Sequence, residues 1–208
     1  MATLLMMSHH GFRRDLGMFA VTLARPGEPS MVALHQEWSS LHEKLHGHHM
    51  MEDQNIFPSL QQQKPAAAPI IERLAADHRR IDPLLARGEQ LFAARDRAGA
   101  TAVVTELLAL LQPHLALEEE ELVPMLRGAK QFPAPSEAEA DLFAQGFAWS
   151  SLGVAPEVLA WVDDLLPEIL LARLPAARAA FADNFRRLWG PVVAGASRTP
   201  VPDWLPSS

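Results

Sequence analysis

The chain has 208 residues, 49% of them apolar, and a formal net charge of −7 at pH 7. This length and apolar content are enough for a buried core with an extension, and the acidic balance disfavours a nucleic-acid surface, which needs a basic face. Cysteine and tyrosine are absent, which excludes disulfides, thiolate or phenolate metal ligands and a cysteine nucleophile. A metal in this protein must therefore be held by imidazole and carboxylate groups.

Helix-forming residues dominate the chain and strand signals are weak throughout, while Pro and Gly mark where the helices end. The pattern predicts a first helix from Ser8, acting as its N-cap, to about Ala24. A second helix begins near Ser30 and ends near Pro58 or shortly after it. Five residues of this second helix recur at helical spacing, so they form one stripe along the face that is expected to point inward. The stripe consists of Trp38, Leu41, Leu45, His48 and Glu52.

Two more helices complete the predicted four-helix domain. The third covers residues 69–95 with a kink expected near Pro83, and the fourth covers residues 100–126 with Pro113 in its interior. The inner stripe of the fourth helix consists of Leu107, Leu111, His114, Glu118 and Leu122.

The C-terminal part follows a Pro- and Gly-containing break at residues 128–135. Ser136 and Glu139 form a capping-box pattern that starts a further helix, and a later helix covers residues 177–189. The Pro-rich residues 197–208 are expected to be frayed. We therefore predict a four-helix domain over residues 1–130 and a helical extension over residues 131–208. The aromatic residues of the extension either pack on the bundle or form a homodimer interface.

The location of the protein is predicted from segments that lack targeting features. Residues 1–16 lack the basic n-region and the small-residue cleavage site of a secretory signal, so they do not resemble one. Charged residues and a proline interrupt the apolar residues 158–174, which disfavours a membrane span there. We expect a cytoplasmic protein without a membrane or nucleic-acid partner.

A His-x-x-x-Glu motif occurs twice, and its surroundings repeat with it. His48, Glu52, Asp53 and Pro58 each have a counterpart of the same chemical type 66 positions later. These counterparts are His114, Glu118, Glu119 and Pro124. The helix before each motif also carries a candidate histidine, His9 and His78 respectively.

The spacing of the motif has a physical reason. Residues four apart on a helix are neighbours, so a histidine and a glutamate can reach one ion, or the glutamate can bridge to a second ion. Four helices that turn these faces inward supply four imidazoles and two carboxylates, which is too many ligands for one tetrahedral zinc. The set suits two ions, with iron favoured and manganese compatible.

Four segments resemble the hemerythrin-like, or HHE cation-binding, domains. They are residues 9–16 (HHGFRRDL), 48–58 (HHMMEDQNIFP), 77–82 (DHRRID) and 114–124 (HLALEEEELVP). The resemblance implies an all-α, up-down-up-down four-helix bundle that holds two carboxylate-bridged, non-haem iron ions, with manganese or zinc as alternatives. The ligands that it implies are His9, His48, Glu52, His78, His114 and Glu118.

The resemblance also implies a role with small oxidants. We expect a protein that binds or senses dioxygen, nitric oxide or peroxide, and the alternative is a di-iron oxidase, an oxygenase or a peroxide-decomposing enzyme acting on a small molecule. The oxygen carriers of the family have a fifth histidine one turn after the residue that matches His78, where this chain has Asp82. A third carboxylate would stabilise higher iron oxidation states, which disfavours reversible oxygen carriage and favours oxygen activation, peroxide chemistry or sensing.

The register of two ligand positions stays open at this point. His10 could replace His9, and the family resemblance favours His9. The pair His49 and Asp53 could replace His48 and Glu52, whereas both the stripe and the repeat favour His48 and Glu52.

Overall fold

A computed structural model describes residues 2–25, 27, 29–126, 132 and 134–190. Within these residues all regular secondary structure is helical, which confirms the predicted all-α class. The helices are α1 (Ala2–Leu23), α2 (Met31–Met51), α3 (Phe57–Gln63), α4 (Ala68–Ala93), α5 (Arg97–Leu117), α6 (Glu137–Ser151), α7 (Pro156–Asp163), α8 (Glu168–Leu171) and α9 (Leu174–Trp189).

The chain divides into two compact units. The bundle unit contains Asp15–Met125, and the terminal unit contains Met1–Arg14 together with Leu126–Ser208. Helix α1 contributes residues to both. The predicted boundary near residue 130 between a bundle domain and an extension remains a prediction.

In the bundle unit the long helices are joined by short connections, as in an up-down-up-down bundle. Helix α4 packs against both α2 and α5. Trp38 of α2 is fully buried. Its Nε1–H donates a hydrogen bond to the Leu85 carbonyl of α4 at 3.1 Å. Its ring stacks on that of Phe92, with centroids 4.9 Å apart. Phe19 of α1 packs edge-on against both rings, with centroids 5.5 and 5.4 Å away. This aromatic group fills one part of the bundle core.

The predicted starts of the first two helices have opposite outcomes. Ser30 caps α2 by accepting a hydrogen bond from the Ala33 N–H at 3.3 Å, as expected. Ser8 was predicted to be the N-cap of the first helix, and this is wrong because α1 already begins at Ala2. The hydroxyl of Ser8 instead donates to the Leu4 carbonyl one turn earlier, at 3.2 Å.

The later helices lie close to their predicted positions. Helix α4 matches the third predicted helix and contains Pro83, and α5 contains Pro113 without ending there. Asp96 caps α5 by accepting from the Gly99 N–H at 2.9 Å. The helix from Ser136 is also confirmed, with the Ser136 N–H donating to the Glu139 carboxylate at 3.1 Å. Residues 127–131, 133 and 191–208, including most of the predicted break and the predicted frayed end, lie outside the described residues.

One helical run in the described part of the chain, Arg97–Leu126, is long and apolar enough to cross a membrane by composition. Core helices of soluble proteins pass the same test. This run presents Val103, Leu107 and Leu111 to the interior of the bundle unit, where all three are buried. It is therefore weak evidence for a membrane span, and the cytoplasmic location remains a prediction.

The terminal unit has its own apolar core. Met7 of α1 packs in one cluster with residues of α6 to α9. The buried members of this cluster are Met7, Ala140, Phe147, Val158, Val162, Leu166, Leu170 and Leu174. The start of α1 thus packs in one core with helices that lie more than 100 residues later in the sequence.

Candidate metal centre

The two His-x-x-x-Glu motifs lie at the C-terminal ends of α2 and α5, where each glutamate starts a π-helical turn. The turns cover Glu52–Ile56 and Glu118–Leu122, so they are 66 positions apart like the motifs themselves. In the first turn the backbone N–H of Phe57 bonds to the carbonyl of Glu52, five residues earlier, and the second turn has the matching bond. The repeat is therefore present in the backbone as well as in the sequence.

A proline follows each π-helical turn, Pro58 after the first and Pro124 after the second. Proline has no backbone N–H, and its ring clashes with the carbonyl four residues earlier, so an α-helical ladder cannot run through it unchanged. We attribute the wider turns to these prolines. Such turns often occur at functional sites, and each one here contains the glutamate of its motif.

Four of the predicted ligands come together inside the bundle unit. One ligand atom from each of Glu52, His78, His114 and Glu118 lies within 4.8 Å of the other three, and all four side chains are buried. Nε2 of His78 is 3.5 Å from Glu52, and Nε2 of His114 is 3.5 Å from Glu118. Nε2 of His48, a fifth predicted ligand, is 3.4 Å from the other oxygen of Glu52.

His49 joins this cluster, although the sequence analysis favoured His48 instead of it. Ligand atoms of His49, His78 and His114 also lie within 4.8 Å of one another. The His49 ring stacks on that of His78 with centroids 4.0 Å apart, and it is 5.7 Å from that of His114. His48 and His49 are therefore not alternatives to each other. His48 lies beside Glu52, and His49 lies beside His78 and His114.

Several polar atoms in this cluster have no hydrogen bond within the described part of the chain. Among them are both carboxylate oxygens of Glu52 and the Nε2 atoms of His49 and His78, and all are buried. Burying such a group without a hydrogen bond costs free energy of about 1–3 kcal/mol on the scale of protein mutations. A bound cation would supply the missing partner for each of these atoms. The residues present therefore fit a metal site.

The protonation of the cluster agrees with this fit. Burial raises the pKa of Glu52 well above its usual value, and the nearby Glu118 carboxylate raises it further. Burial also lowers the pKa values of His49 and His78. Both imidazoles therefore favour their neutral form, which is the form that binds metals. A cation at this point would replace the proton that the raised pKa of Glu52 favours.

Comparison with protein families agrees with this geometry. The family profile described as the Hemerythrin HHE cation binding domain matches residues 1–126. The chain belongs to this hemerythrin family. No curated protein and no solved structure matches the chain significantly. This hemerythrin-family protein is thus a helical protein with a buried His/Glu cluster of the kind that binds metal ions.

The remaining predicted ligand of this hemerythrin-family protein, His9, lies on α1 in the terminal unit, and its side chain is fully buried. Its neighbour His10 donates a hydrogen bond from Nε2 to the Leu152 carbonyl at 2.9 Å. Gly153, which has a left-handed φ of 88°, leaves room for this ring. His10 is thereby engaged within the terminal unit, which favours His9 for the ligand role. The assignment of His9 remains a prediction.

Asp82 and Asp53 were the candidate extra or alternative carboxylate ligands. In the structure Asp82 lies beside Nδ1 of His49 at 3.5 Å and beside His46 at 3.3 Å, and about two-fifths of its side chain is exposed. Asp53 accepts a hydrogen bond from Nδ1 of His78 at 3.0 Å. Asp53 therefore contacts the nitrogen of His78 opposite the one that faces Glu52, and Asp82 contacts Nδ1 of His49.

Proposed function

We propose that this hemerythrin-family protein holds two non-haem iron ions and binds or senses dioxygen, nitric oxide or peroxide at that centre. The observation that carries the proposal is the buried cluster in which imidazole Nε2 atoms lie 3.4–3.5 Å from the carboxylates of Glu52 and Glu118. Such a donor set suits redox iron, with manganese or zinc as alternatives.

The proposed ligands are the six from the sequence analysis with His49 added. They are His9, His48, His49, Glu52, His78, His114 and Glu118. Glu52 and Glu118 would supply the carboxylate donors shared by the two ions, since each lies beside an imidazole and the Glu118 carboxylate is close enough to raise the pKa of Glu52.

His49 changes the comparison with the oxygen carriers of the family. The chain lacks their second histidine on the third helix, but α2 supplies an imidazole beside His78 and His114. The proposed set therefore contains five imidazoles and two carboxylates. Because Asp82 contacts Nδ1 of His49, the proposed set does not include Asp82 as a third carboxylate ligand. Five imidazoles with two carboxylates favour reversible binding of a small molecule more than the set with four imidazoles that the sequence predicted.

When bound, a di-iron centre supplies electrons for reversible oxidation and an open coordination position for a small ligand. The chain's own contribution is to hold the neutral imidazoles and to keep bulk water away from the buried donors. Glu52, His49, His78 and His114 are each no more than 2% exposed. A buried site of this kind favours a small, uncharged ligand.

The alternative, an oxidase, an oxygenase or a peroxide-decomposing enzyme, needs room for a substrate beside the metals. A groove of about 470 Å³ runs along α4 and α5. Its lining is Arg73, Asp77, Arg80, Leu84, Glu106, Ala109, Leu110 and Pro113. None of these is a proposed ligand, so this groove does not favour the enzymatic alternative.

Metal analysis together with optical spectroscopy tests the proposal. We expect about two irons per chain, as in carboxylate-rich bundle sites, and a new absorption band when the reduced protein meets air or nitric oxide. The band should disappear under argon and return with air over repeated cycles. One tightly held zinc per chain, or no metal, would contradict the proposal, and irreversible bleaching with substrate turnover would favour the enzyme.

His114→Ala is the matching variant, because a ligand atom of His114 lies within 4.8 Å of ligand atoms of His49, His78 and both glutamates. It should lower the iron content, since the metal-binding free energy depends on each ligand. His42→Ala is the control, because His42 is about one-third exposed on the same helix as His48 and contacts Glu89 rather than the cluster. Equal iron contents in the two variants would remove His114 from the site.

A further inference from the structure

Three aspartates lie on the outer side of the clustered imidazoles, one at each ring. Nδ1 of His78 is 3.0 Å from Asp53, and Nδ1 of His49 is 3.5 Å from Asp82. The third contact, between Nδ1 of His114 and Asp77, is longer at 3.9 Å. The carboxylates come from two different elements, the first π-helical turn and α4, yet all three face the same type of ring atom.

The opposite ring nitrogens point inward. Nε2 of His78 faces Glu52, and Nε2 of His114 faces Glu118, each at 3.5 Å. Nε2 of His49 is buried and has no hydrogen bond in the described part of the chain. A neutral imidazole has one N–H and one lone pair. If Nδ1 carries the hydrogen and donates it outward, the lone pair of Nε2 is directed to the interior.

We propose that Asp53, Asp82 and Asp77 are positioning residues whose charge strengthens Nε2 of the imidazoles as a metal donor. Asp53 holds His78 in the tautomer with Nδ1–H by a hydrogen bond. Asp82 and Asp77, whose contacts of 3.5 and 3.9 Å are longer than hydrogen bonds, favour the same tautomer of His49 and His114 by their charge alone. This inference rests on the proposed metal function. A carboxylate on the outer nitrogen fixes the orientation of a ligand imidazole and increases its basicity. More basic donors stabilise the oxidised metal, so these aspartates lower the reduction potential of the centre.

The contacts differ in strength, which ranks the three positions. Asp53 makes a true hydrogen bond to His78. Asp82 shares its carboxylate between His49 and the exposed His46, which is 3.3 Å away. Asp77 has the longest imidazole contact, and its other oxygen accepts a hydrogen bond from Arg80 at 3.0 Å. The effect of removing the charge should therefore decrease from Asp53 to Asp82 to Asp77.

The test uses Asp53→Asn, Asp82→Asn and Asp77→Asn in the full chain loaded with iron. Each variant should retain its fold while its iron affinity falls by roughly 10–100-fold for the strongest contact, and its reduction potential should rise at equal iron content. Glu72→Gln is the control, since it removes one negative charge from an exposed position of α4. Shifts no larger than those of the control in all three variants would overturn the inference.

A second measurement separates this inference from the proposed function. Nitrogen NMR of the histidines in the metal-free protein reports which ring nitrogen carries the hydrogen. We expect His78 to carry it on Nδ1 in the wild type and to become a mixture of tautomers in Asp53→Asn. If the protein binds no iron, the proposed function fails, while this result still decides the tautomer. An Nε2–H tautomer of His78 in the wild type would overturn the positioning role.

Discussion

At the scale of single residues, the most informative side chain is His49. It is almost fully buried, its pKa is lowered by that burial, and its Nε2 lacks a hydrogen-bond partner within the described residues. A histidine that only filled the core would normally have a partner for each polar atom. A bound cation would supply the missing partner of this nitrogen.

We predict that His49→Ala lowers metal affinity at least roughly 10-fold, because a lost ligand should cost no less than a lost outer partner. The metal-free protein should lose little free energy of unfolding, since the substitution also removes a buried nitrogen without a partner. Metal titration and denaturant unfolding of the metal-free protein measure the two effects.

The control for this prediction is Met50→Ala, since Met50 is the next residue on α2 and its side chain is 40% exposed. It should bind metal like the wild type. Wild-type affinity in His49→Ala would mean that His49 is only a core residue. A large loss of stability without a change in affinity would lead to the same conclusion.

At the scale of secondary-structure elements, the pairing of α2 with α4 depends on a glycine. A Cβ atom added at Gly88 of α4 would lie 2.1 Å from the indole ring of Trp38. The indole also donates a hydrogen bond to the Leu85 carbonyl of the same helix. Only a residue without a side chain allows this close approach in the middle of α4.

We predict that Gly88→Ala lowers the free energy of unfolding by about 1–3 kcal/mol, the usual cost of overpacking a core. Gly47→Ala is the matched control, because Gly47 is an exposed position of α2 with no atom within 4 Å of an added Cβ. That substitution should instead stabilise by up to about 1 kcal/mol, since alanine favours a helix over glycine. Denaturant unfolding of both variants checks the opposite signs, and equal effects would contradict the packing argument.

At the scale of the whole molecule, the first residues of the chain fold with the last helices. Arg14 is fully buried, and its guanidinium donates to the carbonyls of Trp149 and Leu152 at 2.7 and 3.1 Å. It also lies 5.2 and 5.3 Å from the ring centroids of Phe185 and Phe181. One side chain thus connects α1 with α6 and α9 within the terminal unit.

We predict that Arg14→Met lowers the free energy of unfolding by at least about 1.5 kcal/mol, the value of one hydrogen bond to a charged group. The substitution keeps an apolar stem but removes the side-chain donor of the Trp149 carbonyl, and it removes one of the two side-chain donors of the Leu152 carbonyl. Thermal and denaturant unfolding of the full chain measure the loss. Arg79→Met, at an exposed position of α4, is the control and should stay within about 0.5 kcal/mol of the wild type, as surface substitutions usually do.

The sequence by itself determined the helical class, the starts of α2 and of the helix after Ser136, and the paired His-x-x-x-Glu motifs. These features are local, since apolar periodicity, capping residues and i to i+4 spacing act over one or two turns of a helix. The 66-residue repeat also indicated the matching glutamates, Glu52 and Glu118, which the structure brings together. The family profile then confirmed the resemblance over residues 1–126.

Only the tertiary structure decided how the helices are turned and what surrounds them. The sequence treated His48 and His49 as alternatives, and the rotation of α2 brings both toward Glu52 and the clustered imidazoles. Asp82 could have been a ligand, and its position across from α2 places it on the outer nitrogen of His49. The N-cap at Ser8 failed because the residues before it, including Met7, are buried against distant helices of the terminal unit. Such contacts join segments that are far apart in the chain, so a local sequence pattern cannot predict them.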